Sequence, residues 1–196
     1  LSDTIRPDAR EAVAQLNEMG IQTVMITGDN EGAAKLIAEK AGITEVMAQV
    51  LPQDKHSAVE QLKQSGRIVA MVGDGINDAP ALAGANVGIA LSSGTDVAAE
   101  SSGIILMRED LHAVVDSLKL SRQTMRIIRQ NLFWAFIYNM IGIPIAAGLL
   151  VLFGGPAFSP VFGGAAMAFS SVSVVSNSLR LTRYQPNKKQ TSDSKR

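Results

Sequence analysis

Three short stretches carry side chains whose types and spacing suit a phosphate group. Thr27-Gly28-Asp29 closes the apolar run IQTVMIT (21–27), Lys55 follows Pro52-Gln53-Asp54, and Asp74, Asn77 and Asp78 lie in VGDGINDAPAL directly after the apolar run RIVAMVG (67–73). A threonine hydroxyl, with backbone amides that glycine leaves open to close approach, suits an anion. A lysine supplies a point charge to a phosphoryl oxygen. Asp74 is a hard oxygen donor suited to Mg2+, which takes one or two carboxylates together with phosphate oxygens. Asn77 offers an amide to a phosphoryl oxygen, and Asp78, four residues after Asp74, supports the metal or orients its waters. A TGD or a GDG alone is an ordinary strand end. TGDN, PxDK and GDGxND in that order make an electrostatic clamp for phosphoryl transfer.

The elements that position these groups alternate. The runs 21–27 and 67–73 are β-branched, end in Gly-Asp, and read as buried parallel strands. Between them lie helical patterns. One has Pro7 in its first turn and stops at Gly20; one has Asn30 as N-cap and stops at Gly42; one begins at Pro52 and ends at Gly66. A short helix over NDAPALAGAN and a strand over VGIAL follow. Alternation of this kind predicts an α/β fold with a parallel sheet, and ligands of such sheets sit beyond the strands' carboxyl ends. The TGD and GDG turns are therefore expected to face one cleft.

Composition sets the outer limits. The 196 residues hold 18 Lys+Arg and 18 Asp+Glu, a net charge of zero, which argues against a nucleic-acid binder. With no cysteine there is no disulfide framework and no thiolate metal site within the chain. Leu1 in place of a start Met, with no signal peptide, points to a chain that begins inside a longer protein. His56 and His112 have no metal-ligand spacing around them and read as solvated helix residues.

Residues 131–179 contain no Asp, Glu, Lys, Arg or His. The 23 residues 131–153 would extend roughly 34 Å as a helix, enough to cross a bilayer core. Residues 160–179 form a second, weaker uncharged stretch. Arg122, Arg126 and Arg129 precede the first, Arg180, Arg183, Lys188 and Lys189 follow the second, and the connection carries no charge. That asymmetry predicts a transmembrane hairpin with both outer ends cytoplasmic. Residues 110–130 are amphipathic and read as a stalk entering the first span, and 182–196 read as a disordered basic tail. Neither span holds the carboxylates that a hard divalent ion requires. Met167 and Ser171 are four apart on one helical face, and a methionine thioether suits Cu+. The residues alone favour Met167 as core filler over a ligand.

The motifs resemble the phosphorylation domain of P-type ATPases, within the haloacid-dehalogenase superfamily, over the chain up to about Tyr184. DTIRPDA resembles the DxxR segment with Asp3 and Arg6, MITGDN the TGDN motif, PQDK the segment of the cleft lysine, and MVGDGINDAPAL the hinge signature. YNMIGIPIAAG and MAFSSVSVVSNSLRL resemble the last two membrane helices of copper-transporting heavy-metal ATPases. The resemblance implies a partial haloacid-dehalogenase-like sheet domain (1–109), the stalk (110–130), the transmembrane hairpin (131–181) and the tail. It also implies catalytic roles for Thr27, Gly28, Asp29, Lys55, Asp74, Asn77 and Asp78. Thr27, Gly28, Lys55 and Asn77 would hold the phosphoryl group and Asp74 with Asp78 the Mg2+, while Tyr138, Asn139, Met167 and Ser171 would line a Cu+ path that does not separate Cu+ from Ag+. The lysine and aspartate that the zinc and cadmium branch carries in these helices are absent.

In that family ATP phosphorylates the aspartate of a DKTGT sequence. No DKTG, no TGE actuator loop, no nucleotide domain and no Cys-Pro-Cys occurs here. The chain is therefore expected to be the C-terminal part of a Cu+-exporting ATPase, inactive alone and missing the sheet's central strand, so that strand edges lie open. Its expected partners are the N-terminal part of the same pump, the lipid bilayer of the plasma (cell inner) membrane and a copper chaperone. Two other readings stand beside this one: a membrane-anchored haloacid-dehalogenase-type phosphatase fragment, and a non-catalytic truncated or split remnant.

Overall fold

The computed structural model describes residues 5–73, 76–91, 100–108, 110–155 and 160–184. The expected roles of Asp3, Asp74 and Gly75 lie outside these residues. The chain divides into two compact units, Leu1–Val115 and Asp116–Arg196.

The first unit is α/β. Helices α1 (Ala9–Glu18), α2 (Glu31–Ala41), α3 (Lys55–Gln64) and α4 (Ala79–Gly84) alternate with strands β1 (Val24–Ile26), β2 (Glu45–Met47), β3 (Ala70–Gly73), β4 (Val87–Leu91) and β5 (Ile104–Leu106). The local chemistry explains the boundaries. Asn30 accepts the Ala33 N–H at 2.9 Å and caps α2, which ends at Gly42 in the left-handed region. Pro52 opens a 3-10 turn that leads into α3. Pro80 sits in the first turn of α4, where its missing N–H costs no helical bond.

Among the described residues all strand pairs are parallel, and they form two sheets. β1 pairs with β2 (Met25 with Val46), while β4 lies between β3 and β5 (Val72 with Ile89, Ala90 with Ile105). Among the described residues, β1 and β3 each pair on one side only. The strands are accordingly shorter and less buried than expected: Val24–Ile26 is half-buried throughout, and Ile68 is 89% exposed. The core lies between the helices and β4, and its residues are small or branched: Ala12, Ala34, Ala38, Val59, Ala81, Leu82, Ile89 and Ala90.

The second unit is helical. Helix α5 (His112–Ala146) starts in the first unit, where Asp110 accepts the Ala113 N–H at 2.8 Å, and continues through the arginine-rich segment into the apolar one. The single span expected over 131–153 is not formed. α5 stops two residues past Pro144, Gly148 takes φ 96°, and α6 (Leu149–Leu152) is a separate turn. Pro144 cannot donate to the carbonyl one turn back and crowds it, and the left-handed glycine then redirects the chain. α7 (Pro160–Ser178) is uncharged but rich in serine and glycine. Among the described residues no helix is long and apolar enough to cross a membrane.

Within this unit the start of the apolar segment is clasped to the end of α7. Asn177 donates to Asn131 at 2.8 Å and to Gln130 at 3.3 Å, Asn131 donates to Ser178 at 2.9 Å, and Arg180 donates to Asn177 at 3.2 Å. Away from the clasp the apolar side chains are open: Phe136, Met140, Ile143, Phe153, Val161 and Phe169 are all exposed.

Candidate functional site

The site is built at the carboxyl end of β3. Gly73 ends that strand, residues 76–78 form a 3-10 turn, and α4 begins at Ala79. The turn carries Asp78 back over the strand end. A Cβ on Gly73 would lie 2.7 Å from the Asp78 Cβ and 2.9 Å from its Oδ2, so the carboxylate packs where any other residue would put its side chain. Asp78 is 8% exposed, and it does not cap α4. Its Oδ1 instead receives the Lys55 ammonium at 2.7 Å, from the first residue of α3. The two side chains are 21% and 12% exposed, which keeps most solvent screening out of the pair.

In this geometry the Asp78 carboxylate is the counter-ion that fixes where the Lys55 ammonium points. Asn77 is exposed and makes no side-chain hydrogen bond among the described residues. Among those residues no three His, Cys, Asp or Glu side chains cluster to hold a metal.

Two contacts fasten α3 to α4, one of them dependent on a glycine, and neither was legible in the sequence. His56, beside Lys55, donates from Nδ1 to the Pro80 carbonyl at 2.9 Å, because a carbonyl can only accept. A Cβ on Gly84 would strike that imidazole, lying 2.6 Å from Cε1. Lys63 donates to the Gly84 carbonyl at 2.7 Å and to Glu60 at 2.6 Å. The Lys63 hydrogen bond holds the Glu60 carboxyl below its ordinary range, against a smaller opposing effect of burial. His56 is thus a link between the lysine's helix and the helix after Asp78, not a merely solvated residue. Gly84, at a helix end in PALAGA, was the only signal in the sequence. His112 faces Glu11 at 3.7 Å.

The TGD turn is arranged otherwise. The Thr27 hydroxyl donates to Asp29 at 2.8 Å and accepts the Asp29 N–H at 3.1 Å. Thr27 N–H donates to Met47, Val50 N–H to the Thr27 carbonyl and Gln49 N–H to the Asp29 carbonyl, so the turn is pinned to the loop after β2. A Cβ on Gly28 would meet only the Val50 carbonyl, at an ordinary 3.5 Å, so packing within the chain does not demand glycine there. Gly28 and Asp29 are exposed. The structure joins Lys55 to Asp78, and no hydrogen bond among the described residues joins either of them to Thr27.

The four candidate Cu+ residues lie on α5 and α7. Asn139 donates to the Ala135 carbonyl at 3.0 Å and Ser171 to the Met167 carbonyl at 3.1 Å, each within its own helix. The Tyr138 ring tilts against Trp134, and the Met167 side chain is 74% exposed.

Comparison with known proteins agrees with the fold. A haloacid dehalogenase-like hydrolase family matches residues 1–86. The chain is 56% identical over 95% of its length to a probable copper-transporting ATPase, PacS, of Synechocystis, and covers 25% of that protein. It is 55% identical over 94% of its length to a probable copper-exporting P-type ATPase V of Mycobacterium tuberculosis, of which it covers 23%. Among solved structures, a zinc-transporting PIB-type ATPase in the E2.Pi state superposes with a TM-score of 0.79 at 40% identity, over 92% of this chain and 28% of that one. The chain spans about a quarter of the length of the curated relatives it matches. Over the quarter of such a protein that it spans, the chain is similar to P-type ATPases.

Proposed function

We propose that the chain is the C-terminal part of an ATP-driven Cu+ exporter, with Ag+ handled by the same ligands. The Lys55–Asp78 pair, held against Gly73 at a strand's carboxyl end, carries this reading. It supplies a fixed positive charge where a phosphoryl group would lose or gain its partner, and fixed charges need no reorganisation as the reaction proceeds. Thr27 and the amide of Gly28 would hold phosphoryl oxygens, with Asp29 orienting the Thr27 hydroxyl and Asn77 donating its exposed amide. Asp74 would hold Mg2+, which when bound neutralises charge on the transferring group.

The acceptor would be the aspartate of a DKTGT segment outside this chain. Its carboxylate oxygen would bond the γ-phosphorus of ATP as ADP leaves, and water would later hydrolyse the acyl phosphate. The unpaired sides of β1 and β3 suit such a strand: one more parallel strand between them would satisfy both edges and bring its carboxyl end to the same rim.

For the metal path, Asn139 lies eight residues beyond the clasp, and Ser171 and Met167 lie six and ten residues before it. Along helices that is about 12, 9 and 15 Å, a common level when the chain leaves the clasp on α5 and returns on α7. At about 100° per residue, Asn139 and Met167 are both turned about 80° from the clasp, toward one flank of an antiparallel pair. The exposed apolar side chains of both helices suit a bilayer, with both outer ends cytoplasmic in the plasma membrane. The rest of the pump and a copper chaperone are the partners that follow.

The test is ATP turnover and acid-stable phosphoenzyme in lipid vesicles, with Cu+ under reducing conditions. The chain alone should give neither, and joining it to a polypeptide carrying DKTGT and Cys-Pro-Cys should give both, with Lys55→Ala abolishing turnover. Copper-stimulated turnover by the chain alone, lost in Asp74→Ala, would overturn the proposal.

A further inference from the structure

One feature of the helical unit takes no part in phosphoryl transfer or the metal path. Arg122, Arg126 and Arg129 of α5 line a groove of about 630 Å³ together with Met125, Phe133 and Trp134. The positions 122, 126, 129 and 133 repeat at helical spacing, so the cations and the first ring share a face. Residues 117–184 contain no Asp or Glu. Arg126 and Arg129 are exposed and make no ion pair or hydrogen bond among the described residues. Arg180 adds a further positive charge nearby, since it bonds Asn177, which bonds Gln130 on the groove's wall. Phe133 and Trp134 stand edge to face at 5.6 Å, where the charged segment gives way to the apolar one.

We infer that this groove is a docking site for the headgroup of an anionic phospholipid. Charge complementarity chooses the occupant. A guanidinium grips a phosphodiester with two parallel N–H bonds, and three of them on one face set a strong preference for an anionic over a zwitterionic headgroup. Aromatic rings directly below match the belt that such side chains form at the headgroup level, and an acyl chain would continue along exposed Leu132 and Phe136. Free phosphate would satisfy the arginines but leave the aromatic half of the groove unused. The inference rests on the reading that α5 enters a bilayer.

Trp134 is the only tryptophan, so its fluorescence reports this groove alone. The full chain would be reconstituted in phosphatidylcholine vesicles containing increasing fractions of acyl-brominated phosphatidylglycerol or, separately, acyl-brominated phosphatidylcholine. The brominated anionic lipid should quench Trp134 at a several-fold lower fraction, about fivefold for each arginine engaged. Arg126→Gln with Arg129→Gln should bring the two lipids to near parity while quenching by the zwitterionic one persists. Millimolar inorganic phosphate should not displace the lipid. Equal quenching by both lipids in the parent chain would overturn the inference and assign the groove to another occupant, such as an acidic protein segment, while leaving α5 in the bilayer. Quenching by neither would overturn the bilayer reading and the inference with it. Should the glutamine variant fail to insert, Arg126→Lys with Arg129→Lys keeps the charge and loses the fork: the preference should shrink, and an unchanged preference would sink the headgroup geometry.

Discussion

In the α/β unit Lys55 and Asp78 hold one another; in the helical unit Asn139 and Ser171 hold only their own backbones. Lys55 is bonded to Asp78, Asp78 is packed on Gly73, and His56 ties the lysine's helix to the next. Asn139 and Ser171 return their hydrogen bonds to carbonyls one turn back, and Met167 is exposed. The difference separates a preorganised half-site from a surface that needs neighbours. A charge pair fixed in a partly buried place can act on a phosphate at once. Ligands spread along two helices become a coordination site only when further elements close around them.

The hardest way to break the preorganised half is Gly73→Ala. The new Cβ would fall within van der Waals contact of the Asp78 Cβ, an atom tied to the backbone and unable to swing away. Overpacking of this kind costs about 1–3 kcal/mol, and here it would also drive Asp78 off Lys55. Urea denaturation should show the loss, and the complemented pump should lose phosphoenzyme. A variant as stable and active as the parent would mean that the strand end is soft.

Asp78→Ala comes next. It leaves the Lys55 ammonium without its counter-ion, and breaking a fully buried pair costs about 3–5 kcal/mol. With a fifth of the lysine still exposed, solvent recovers part of that, so about 1–2 kcal/mol is expected. Asp78→Asn, nearly isosteric, should restore stability more than turnover, because the charge that aims Lys55 is still missing. Equal recovery of both would make Asp78 a packing residue only.

Which parts of this the sequence disclosed follows from what each depends on. The Asn30 cap, the Gly42 stop and the strand ends are local and were legible. Four-residue spacing suggested that Asp74 and Asp78 cooperate on one metal. The spacing could not show that a 3-10 turn folds Asp78 back onto Gly73, because that depends on where α3 delivers Lys55. His56 and Gly84 were unreadable for the same reason: their meaning lies in how α3 packs against α4. The end of α5 was legible in principle. Pro144 and Gly148 stood in the sequence, but the continuous apolar run outweighed them.

In the helical unit the interaction to break is the clasp. Asn177→Ala removes donors to Asn131 and Gln130 and the acceptor of Arg180. A single hydrogen bond contributes only about 1 kcal/mol net, so overall stability should fall little. Register is where the effect should show. With no native cysteine, spin labels at Met140→Cys and Phe169→Cys would report one α5–α7 distance, narrow in the parent and broadened in Asn177→Ala. An unchanged distribution would mean that the two helices are aligned by something else.

The smallest effect sharpens the comparison from the α/β side. Lys63 bonds Glu60 and the Gly84 carbonyl together, and the Lys63 hydrogen bond lowers the Glu60 carboxyl below its usual range. A group whose folded-state pKa is depressed binds its proton less well folded than unfolded. Its contribution is therefore complete above the ordinary carboxylate pKa and is lost as pH falls through the depressed one. Glu60→Gln should cost a little stability near neutral pH, cost progressively less through the acidic range, and converge with the parent below it. Urea midpoints of the two proteins across that range are the measurement. Curves that stay parallel at all pH values would show that Lys63 is held by Gly84 alone, and that the helix after Asp78 is fixed by packing without help from charge.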